Sequence, residues 1–335
     1  MRQDTSLYVV NPGGSDPDRN FPDGAGSPED PGHPPVNYHA YAACTRGMFA
    51  RSVDSIPGSA KAALLMLRPK HLKSATRALE ALRARGMRVF VSLKESGLHQ
   101  AGPALTDPAR WRAFVELCHA ADGFLSSTED LVSLYNSAGG LSGGFIPTPY
   151  PIGEPGWNFA RPLAERNGLL IGTREFAVPA RNHLLAIASA AALGEPLTVI
   201  NTEGGRGRKM IHAVSPSIRI VDGPLPYPEY LRLMAGHRVV FQLDRGSVPG
   251  QVGGDALLTG TPCIGGDSAT ERIAFGTQAG TGISASVADA ELLMEDDAVW
   301  HARVEAALEA AEKHLSFSAI RTRLMEFFAP GSTGD

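Results

Sequence analysis

Two successive trains of short apolar segments alternate with segments of helical periodicity along this chain. That alternation restricts it to parallel sheets flanked by helices. The first train has strand-like runs at 7–11, 62–67, 89–93, 124–126 and 144–147, with helices expected over 38–50, 70–85 and 108–121 and another opened by Ser127 or Thr128. In 70–85 the residues Leu72, Ala75, Leu79 and Leu82 recur at helical spacing and Gly86 closes the helix. The second train predicts strands at 169–172, 197–201, 218–221, 239–243 and 263–264, with helices over 181–193, 228–235 and 251–258. A Pro- and Gly-containing stretch, 150–166, breaks the pattern between them. The expected fold class is α/β with two facing Rossmann-like domains, 1–155 and 156–315. A closing helix, 316–335, could cross back onto the first domain.

At 335 residues and 43% hydrophobic content the chain has material for two ordinary cores. Its 31 basic and 35 acidic side chains are interspersed and sum to −4, so no basic field attracts a nucleic acid. Three cysteines, Cys44, Cys118 and Cys263, are too few and too scattered for a disulfide framework or a zinc site, and they suit a reducing cytoplasm. No apolar run approaches a membrane span, which predicts a protein neither exported nor membrane-spanning and leaves docking on a membrane surface open. The Ala-, Arg-, Gly- and Leu-heavy usage resembles proteins of bacteria with GC-rich genomes.

The stretch most informative about chemistry is DRGSVPGQVGGDALLTGTPCIGGDSATE, 244–271. A strand ends at Asp244, a short loop follows, and a helix starts near Pro249 with Gly250, Gly253 and Gly254 in its first turns. Bare N–H groups at a helix start, together with the helix dipole, suit a diphosphate. Glycines there serve equally to pack a helix closely on its neighbours. Upstream, Gly172 closes a strand, Arg174 follows in the loop, and Arg181 is expected at the start of the next helix. Two guanidinium groups so placed suit phosphate recognition, although solvated surface arginines are the commoner case. Asp16-Pro17-Asp18 has the form of an acidic pair that could hold a divalent cation, but it lies in a Pro-rich loop without a second ligand group. His99, His119, His183 and His212 show no metal-ligand spacing and read as structural or surface residues.

Together these stretches resemble the two halves of a GT-B glycosyltransferase, and are most similar to the large retaining family 4. In the second half the resemblance rests on the Gly172 loop with Arg174 and Arg181, on IRIVDGPLPYPEYLRLM and on DALLTGTPCIGG. In the first half it rests on VFVSLKES, AADGFLSSTEDLVSLY and GFIPTPYP. The resemblance implies transfer of a hexose-type sugar from a nucleoside-diphosphate sugar, with a uracil or guanine base, to a small-molecule, glycan or natural-product acceptor. It implies retention, no metal and no cofactor beyond the donor as co-substrate. By the same resemblance Arg174 and Arg181 bind the donor diphosphate, and the helix start at Val248, Pro249, Gly250 and Gln251 is expected to aim its backbone N–H groups, of which Pro249 has none, at the same group. Asp255 stands where the family's second Glu holds ribose hydroxyls, Leu225 beside the nucleobase, and Gly13 and Gly14 in the Gly-rich loop near sugar and acceptor. Lys94 takes the place of a cleft-facing polar residue, and Lys94 or Glu95 would orient the acceptor, for which the Pro/Gly loop after the first strand is an equally good lid. The sequence departs from the pattern at Ser247, where the family has a Glu that contacts the donor sugar. A silent nucleotide-sugar-binding partner, or an epimerase on the same fold, are the alternative readings.

Overall fold

The computed structural model describes residues 6–94, 97–140, 142–277 and 282–328. The chain divides into two compact units, Met1–Pro151 with Leu315–Asp335, and Ile152–His314.

The first unit is a seven-stranded sheet: β1 (Tyr8–Val10), β2 (Arg19–Asn20), β3 (Met48–Ala50), β4 (Ala62–Leu67), β5 (Arg88–Leu93), β6 (Gly123–Ser126) and β7 (Gly143–Phe145). Their spatial order is β2-β3-β1-β4-β5-β6-β7, parallel throughout except for the short edge strand β2. The helices of this part of the chain are α1 (Tyr38–Cys44), α2 (Leu72–Ala84), α3 (Leu98–Leu105), α4 (Pro108–Ala120) and α5 (Val132–Gly139). Strands β4 and β5 are almost entirely buried because helices cover a parallel sheet, so their sequences run apolar without alternation. Helix α2 turns Leu72, Ala75, Ala78, Leu79 and Leu82 inward. Helix α4 starts where Asp107 accepts a bond from Arg110 N and Pro108 occupies the first helical position.

The expected helix over 38–50 is corrected: only Tyr38–Cys44 is helical, and Met48–Ala50 is a strand beside β1. Thr45 ends the helix, its hydroxyl donating back to Tyr41 O (3.1 Å) and Ala42 O (3.0 Å) while accepting from Leu7 N (3.0 Å). Gly47 then passes so close to the Leu7 carbonyl that no Cβ fits.

The second unit has a five-stranded, wholly parallel sheet of order β10-β9-β8-β11-β12. Its elements are β8 (Leu169–Ile171), α6 (His183–Ala191), β9 (Leu197–Asn201), α7 (Gly204–Val214), β10 (Arg219–Asp222), α8 (Tyr227–Ala235), β11 (Val239–Phe241), α9 (Gln251–Thr259), β12 (Cys263–Ile264), α10 (Ala269–Ala274), α11 (Ile283–Glu295) and α12 (Asp297–His314). Helix α7 is absent from the sequence reading, which ran one strand into the next. Parallel neighbours such as β9 and β10 need a crossover, and GGRGRKMIHAV supplies it despite its opening glycines. The core packs Leu169, Ile171, Val199, Val239 and Phe241 of the sheet against Ala186, Ile187, Ile211, Leu293 and Trp300 of the helices.

The last helix, α13 (Phe317–Phe327), belongs to the first unit. Ser316 caps it through Ala319 N (3.2 Å), and Tyr150 N and Leu315 O (2.8 Å) pair the two ends of that unit. Phe327 and Phe328 pack against Phe90 of β5, and Arg88 donates to Phe328 O (2.8 Å). Among the described residues, no helix is long and apolar enough to cross a membrane.

Candidate functional site

In the second sheet the strand order reverses between β8 and β11, and loops leaving strands at such a point frame the usual ligand crevice of open parallel sheets. Gly172 ends β8. A Cβ there would stand 2.6 Å from Val252 Cγ1, so bare glycine is what lets the first turn of α9 lie against this strand end.

Arg174 follows in the loop, its guanidinium 4.9 Å from the ring centroid of Tyr230 on α8. The loop around it is tied to the end of β9, where the Thr202 hydroxyl donates to Arg174 O (3.1 Å) and Phe176 N donates to the Glu203 carboxylate (3.0 Å). His183 opens α6 with its Nδ1 3.0 Å from the Thr173 hydroxyl, and burial lowers its pKa to about 4, so the ring is neutral. It is a core residue of this loop, as its sequence setting suggested.

Arg181 lies on the single 3₁₀ turn Pro179–Arg181 immediately ahead of α6, where the sequence placed it in the helix itself. Its guanidinium donates to the carboxylates of Asp244, which is 4% exposed, and of Glu175 (3.1 Å), which is 55% exposed. Burial alone would pull its pKa down, but Asp244 and then Glu175 outweigh that, and the net shift is upward. Arg181 therefore carries its own counter-ions.

The loop after β11 is pinned along its length by the start of α10. Asp244 accepts from Gly246 N (2.7 Å), and Ser247, at φ 45°, donates its N–H to Asp267 Oδ1 (3.1 Å). Val248 O accepts from Ala269 N (2.9 Å), and Pro249 O accepts from Thr270 N (3.2 Å) and from the Thr270 hydroxyl (2.8 Å). Gly250 sits at φ 101°, where a Cβ would meet Ser268 Cβ at 2.7 Å and Thr270 Cβ at 2.9 Å. This glycine is required by backbone shape and by close packing, whatever binds above it. Helix α9 begins at Gln251 directly after it.

The α10 turn that does the pinning has its own anchor. Ser268 caps it, and the buried Glu271 accepts from the Ser268 hydroxyl (2.7 Å), from Ser268 N (3.2 Å) and from Gln242 Nε2 of the β11 end (2.9 Å). Burial pushes the pKa of Glu271 up, against these donors. The clamp has low exposure throughout, which makes the geometry of the 244–250 loop rigid.

Asp255 is wholly buried in α9 and faces α8, where the Tyr227 hydroxyl donates to its Oδ1 (2.5 Å). Burial raises its pKa to about 7, opposed by the Tyr227 bond and then by Arg174, Tyr230 and Gln251. Leu225 is half-buried in the loop joining β10 to α8. The structure thus gathers Gly172, Arg174, Arg181, the 247–251 segment and Asp255 around one end of one sheet. Sequence reading did not single out Tyr227, Tyr230, Asp244 or Arg272. For the pairing of Asp244 with Arg181, the position of an acidic residue at a strand end was the available signal.

In the first unit Gly13 and Gly14 follow β1, packed under His71 and against the Asn11 side chain respectively. Asp16 lies beyond them. Its Oδ2 accepts from Asn11 Nδ2 (2.8 Å) and lies 3.6 Å from Arg68 Nη2 and 3.8 Å from Lys94 Nζ, at the ends of β1, β4 and β5. Lys94 also stands 5.9 Å from the Tyr38 ring centroid. Asp18 instead accepts from Arg51, through its backbone N (2.9 Å) and its Nε (3.0 Å). The two acidic residues thus bond to different cations of the protein. Among the described residues no group of three His, Cys, Asp or Glu side chains has the arrangement of a metal site. Glu95 lies outside the described residues.

The sequence matches no protein-family model, and no curated protein matches it. Solved structures do. Anabaena HepE, crystallised with UDP and glucose, superposes with a TM-score of 0.57 at 17% identity over 80% of this chain and 78% of its own. A UDP-forming trehalose-phosphate synthase from Burkholderia xenovorans gives 0.60 at 10% identity over 98% of both chains. A glycosyltransferase from Rickettsia africae gives 0.59 at 10% identity, over 81% of this chain and 78% of its own. These likenesses establish the fold: two Rossmann-like units in the α/β arrangement of GT-B glycosyltransferases.

Proposed function

We propose that this protein is a glycosyltransferase of the hexosyltransferase type, drawing its sugar from a nucleoside-diphosphate donor. The observation that carries this reading is the convergence, at the strand-order reversal of one sheet, of Arg174 with the start of α9 behind the rigid 244–250 loop. The fold shared with proteins solved with UDP, glucose and UDP-glucose supports it and favours uridine in the donor.

In the proposed reaction the bond between the sugar's anomeric carbon and the diphosphate oxygen breaks, the acceptor hydroxyl oxygen bonds to that carbon, and the hydroxyl's proton passes to the departing diphosphate. Negative charge gathers on the departing diphosphate, so the principal aid is fixed positive charge and N–H donors already aimed at it. Arg174 and the backbone N–H groups of Gly250 and Gln251 at the start of α9 fill that role, with Arg181 supporting through the Asp244 side of the loop. Asp255 with Tyr227 borders the ribose and Leu225 the base. In the first unit Gly13 and Gly14, after β1, and Lys94, at the end of β5, are the residues proposed to act on the acceptor. We place the reaction in a bacterial cytoplasm, with retention at the anomeric carbon and without metal.

One observation favours a second reading, a silent nucleotide-sugar-binding partner: Ser247 offers no carboxylate where donor-sugar contact is expected. Incubation with a panel of nucleotide sugars and measurement of released nucleoside diphosphate separates the two. Release together with a glycosylated acceptor supports the transferase, release without acceptor product points to hydrolysis or epimerisation, saturable binding without turnover supports the silent partner, and absence of binding sinks all of these.

A further inference from the structure

We infer that the groove between α3, α4 and α5 of the first unit binds a single aliphatic chain, the apolar tail of an amphipathic ligand. On the transferase reading, on which this clause rests, that ligand is the acceptor.

Helix α3 follows β5, and the turn Glu129–Leu131 that leads into α5 follows β6. Both segments thus leave the carboxyl ends of parallel strands, the side on which such sheets take ligands. In α3 the apolar residues Leu98, Ala101 and Leu105 recur at i, i+3 and i+7 and share one face. Ala101 and Leu105 join the core beneath, whereas Leu98 is 47% exposed. With Trp111 of α4, and with Leu131 and Leu134 on the α5 side, they wall a cavity of about 440 Å³. Gly102 lines it too, and a Cβ there would meet nothing within 4 Å, so open space continues over the helix backbone. The Thr106 hydroxyl, also at the cavity, already donates to Pro103 O (2.8 Å). One exposed leucine is ordinary, but apolar walls around a shared space are what a ligand-binding groove presents.

Size and chemistry decide the occupant. Eleven residues line the cavity, against the about 20–30 that each side of a stable protein interface contributes, so neither a second copy nor a folded partner matches it. Its volume is that of a small-molecule site. An extended peptide or a sugar ring would bring N–H, C=O or hydroxyl groups against leucine and alanine side chains and lose their hydrogen bonds with water. An aliphatic chain has no such groups and gains by leaving water. Leu98 is four residues beyond Lys94, so the two backbones lie at most about 14 Å apart. A tail in the groove therefore keeps its polar head near the residue proposed to act on the acceptor.

In the test the full chain is titrated with n-octyl β-D-glucoside, below the concentration at which it forms micelles, and with methyl β-D-glucoside, while tryptophan emission is followed. Trp111 reports on the groove, because Trp157 and Trp300 are buried in the second unit. Expected is a saturable blue shift with the octyl compound, which should bind more tightly than the methyl one by roughly a hundredfold, as burial of a few methylene groups gives. Gly102→Phe puts a ring into the open space and should weaken octyl binding about tenfold or more. Leu98→Ser, which removes an exposed wall, serves should that variant fail to fold, with a loss of roughly three- to tenfold. With UDP-glucose present, the octyl compound should raise UDP release above the rate seen with the methyl one. No saturable shift, an equal response to the methyl compound, or unchanged affinity in the variant that folds overturns the inference, and chain binding with no rise in UDP release overturns the acceptor role. UDP titrated in parallel on the wild type separates the two readings. UDP binding without chain binding keeps the transferase and sinks the groove, and chain binding without UDP binding does the reverse.

Discussion

The two units solve the same problem, holding charge at the reversal point of a parallel sheet, in opposite ways. In the first, Arg68 and Lys94 both approach the carboxylate of Asp16, near the start of a long Pro- and Gly-rich loop. In the second, Arg181 is taken up by two carboxylates, but Arg174 rests on the face of Tyr230. A cation held by a ring keeps its donors for a ligand, whereas one held by carboxylates must be prised from them. The second unit is thus the better prepared to meet an anion, and in the proposed reaction Arg174 rather than Arg181 is the residue placed to do so.

The largest expected effect tests that ranking. Arg174→Ala should cut turnover with an accepted donor by about a hundred- to a thousandfold, the usual loss on removing one donor to developing charge, with little change in melting temperature. Arg181→Ala should instead lower the melting temperature clearly, because it strands the buried Asp244. Finding the two phenotypes exchanged breaks the contrast.

A difference in pH response comes next. Burial raises the Asp255 carboxyl from 3.8 to about 7, so across that window the folded chain holds a proton that the unfolded chain has released. Its contribution is fully favourable below about pH 4 and is lost as the pH rises toward 7. Denaturant melts of Asp255→Asn should lose that downward slope. His39 in the first unit works the other way: burial, then His33, lowers its pKa from 6.5 to about 3, so stability there falls as the solution is acidified through this range. Melts that show both units losing stability in the same direction would count against the assignment.

Smaller still is Gly250→Ala, expected to cost roughly 2–3 kcal/mol from the unfavourable φ and the contact with Ser268, read from the denaturation midpoint. The smallest is Asp16→Ala. Its pairs are partly exposed, so the loss should stay below about 1 kcal/mol, and equality with the Gly250 variant would show the first unit's cluster to be as rigid as the second's.

Much of the architecture was legible because buried parallel strands must be continuously apolar: 62–67 and 263–264 match β4 and β12 residue for residue. What escaped was set by tertiary context. Met48–Ala50 is too short to show a period, and only pairing with β1 makes it a strand. Helix α7 begins with glycines that argue against a helix, and is demanded only by the parallel pairing of β9 with β10. At the site, glycine and arginine positions could be read from order and spacing. Which arginine is neutralised could not, because Asp244 lies 63 residues from Arg181 in sequence. The glycines had two sufficient explanations in the sequence, and their contacts with Val252, Ser268 and Thr270 supply the packing one outright.

The return of α13 to the first unit has a consequence for how the molecule is made. On the ribosome Ile152–His314 is complete before Leu315–Asp335 has been synthesised. The nascent first unit must wait with Phe90 uncovered until Phe327 and Phe328 emerge to close over it. A chain stopped before Phe327 would therefore leave Phe90 of the first unit uncovered while the second unit, Ile152–His314, is whole.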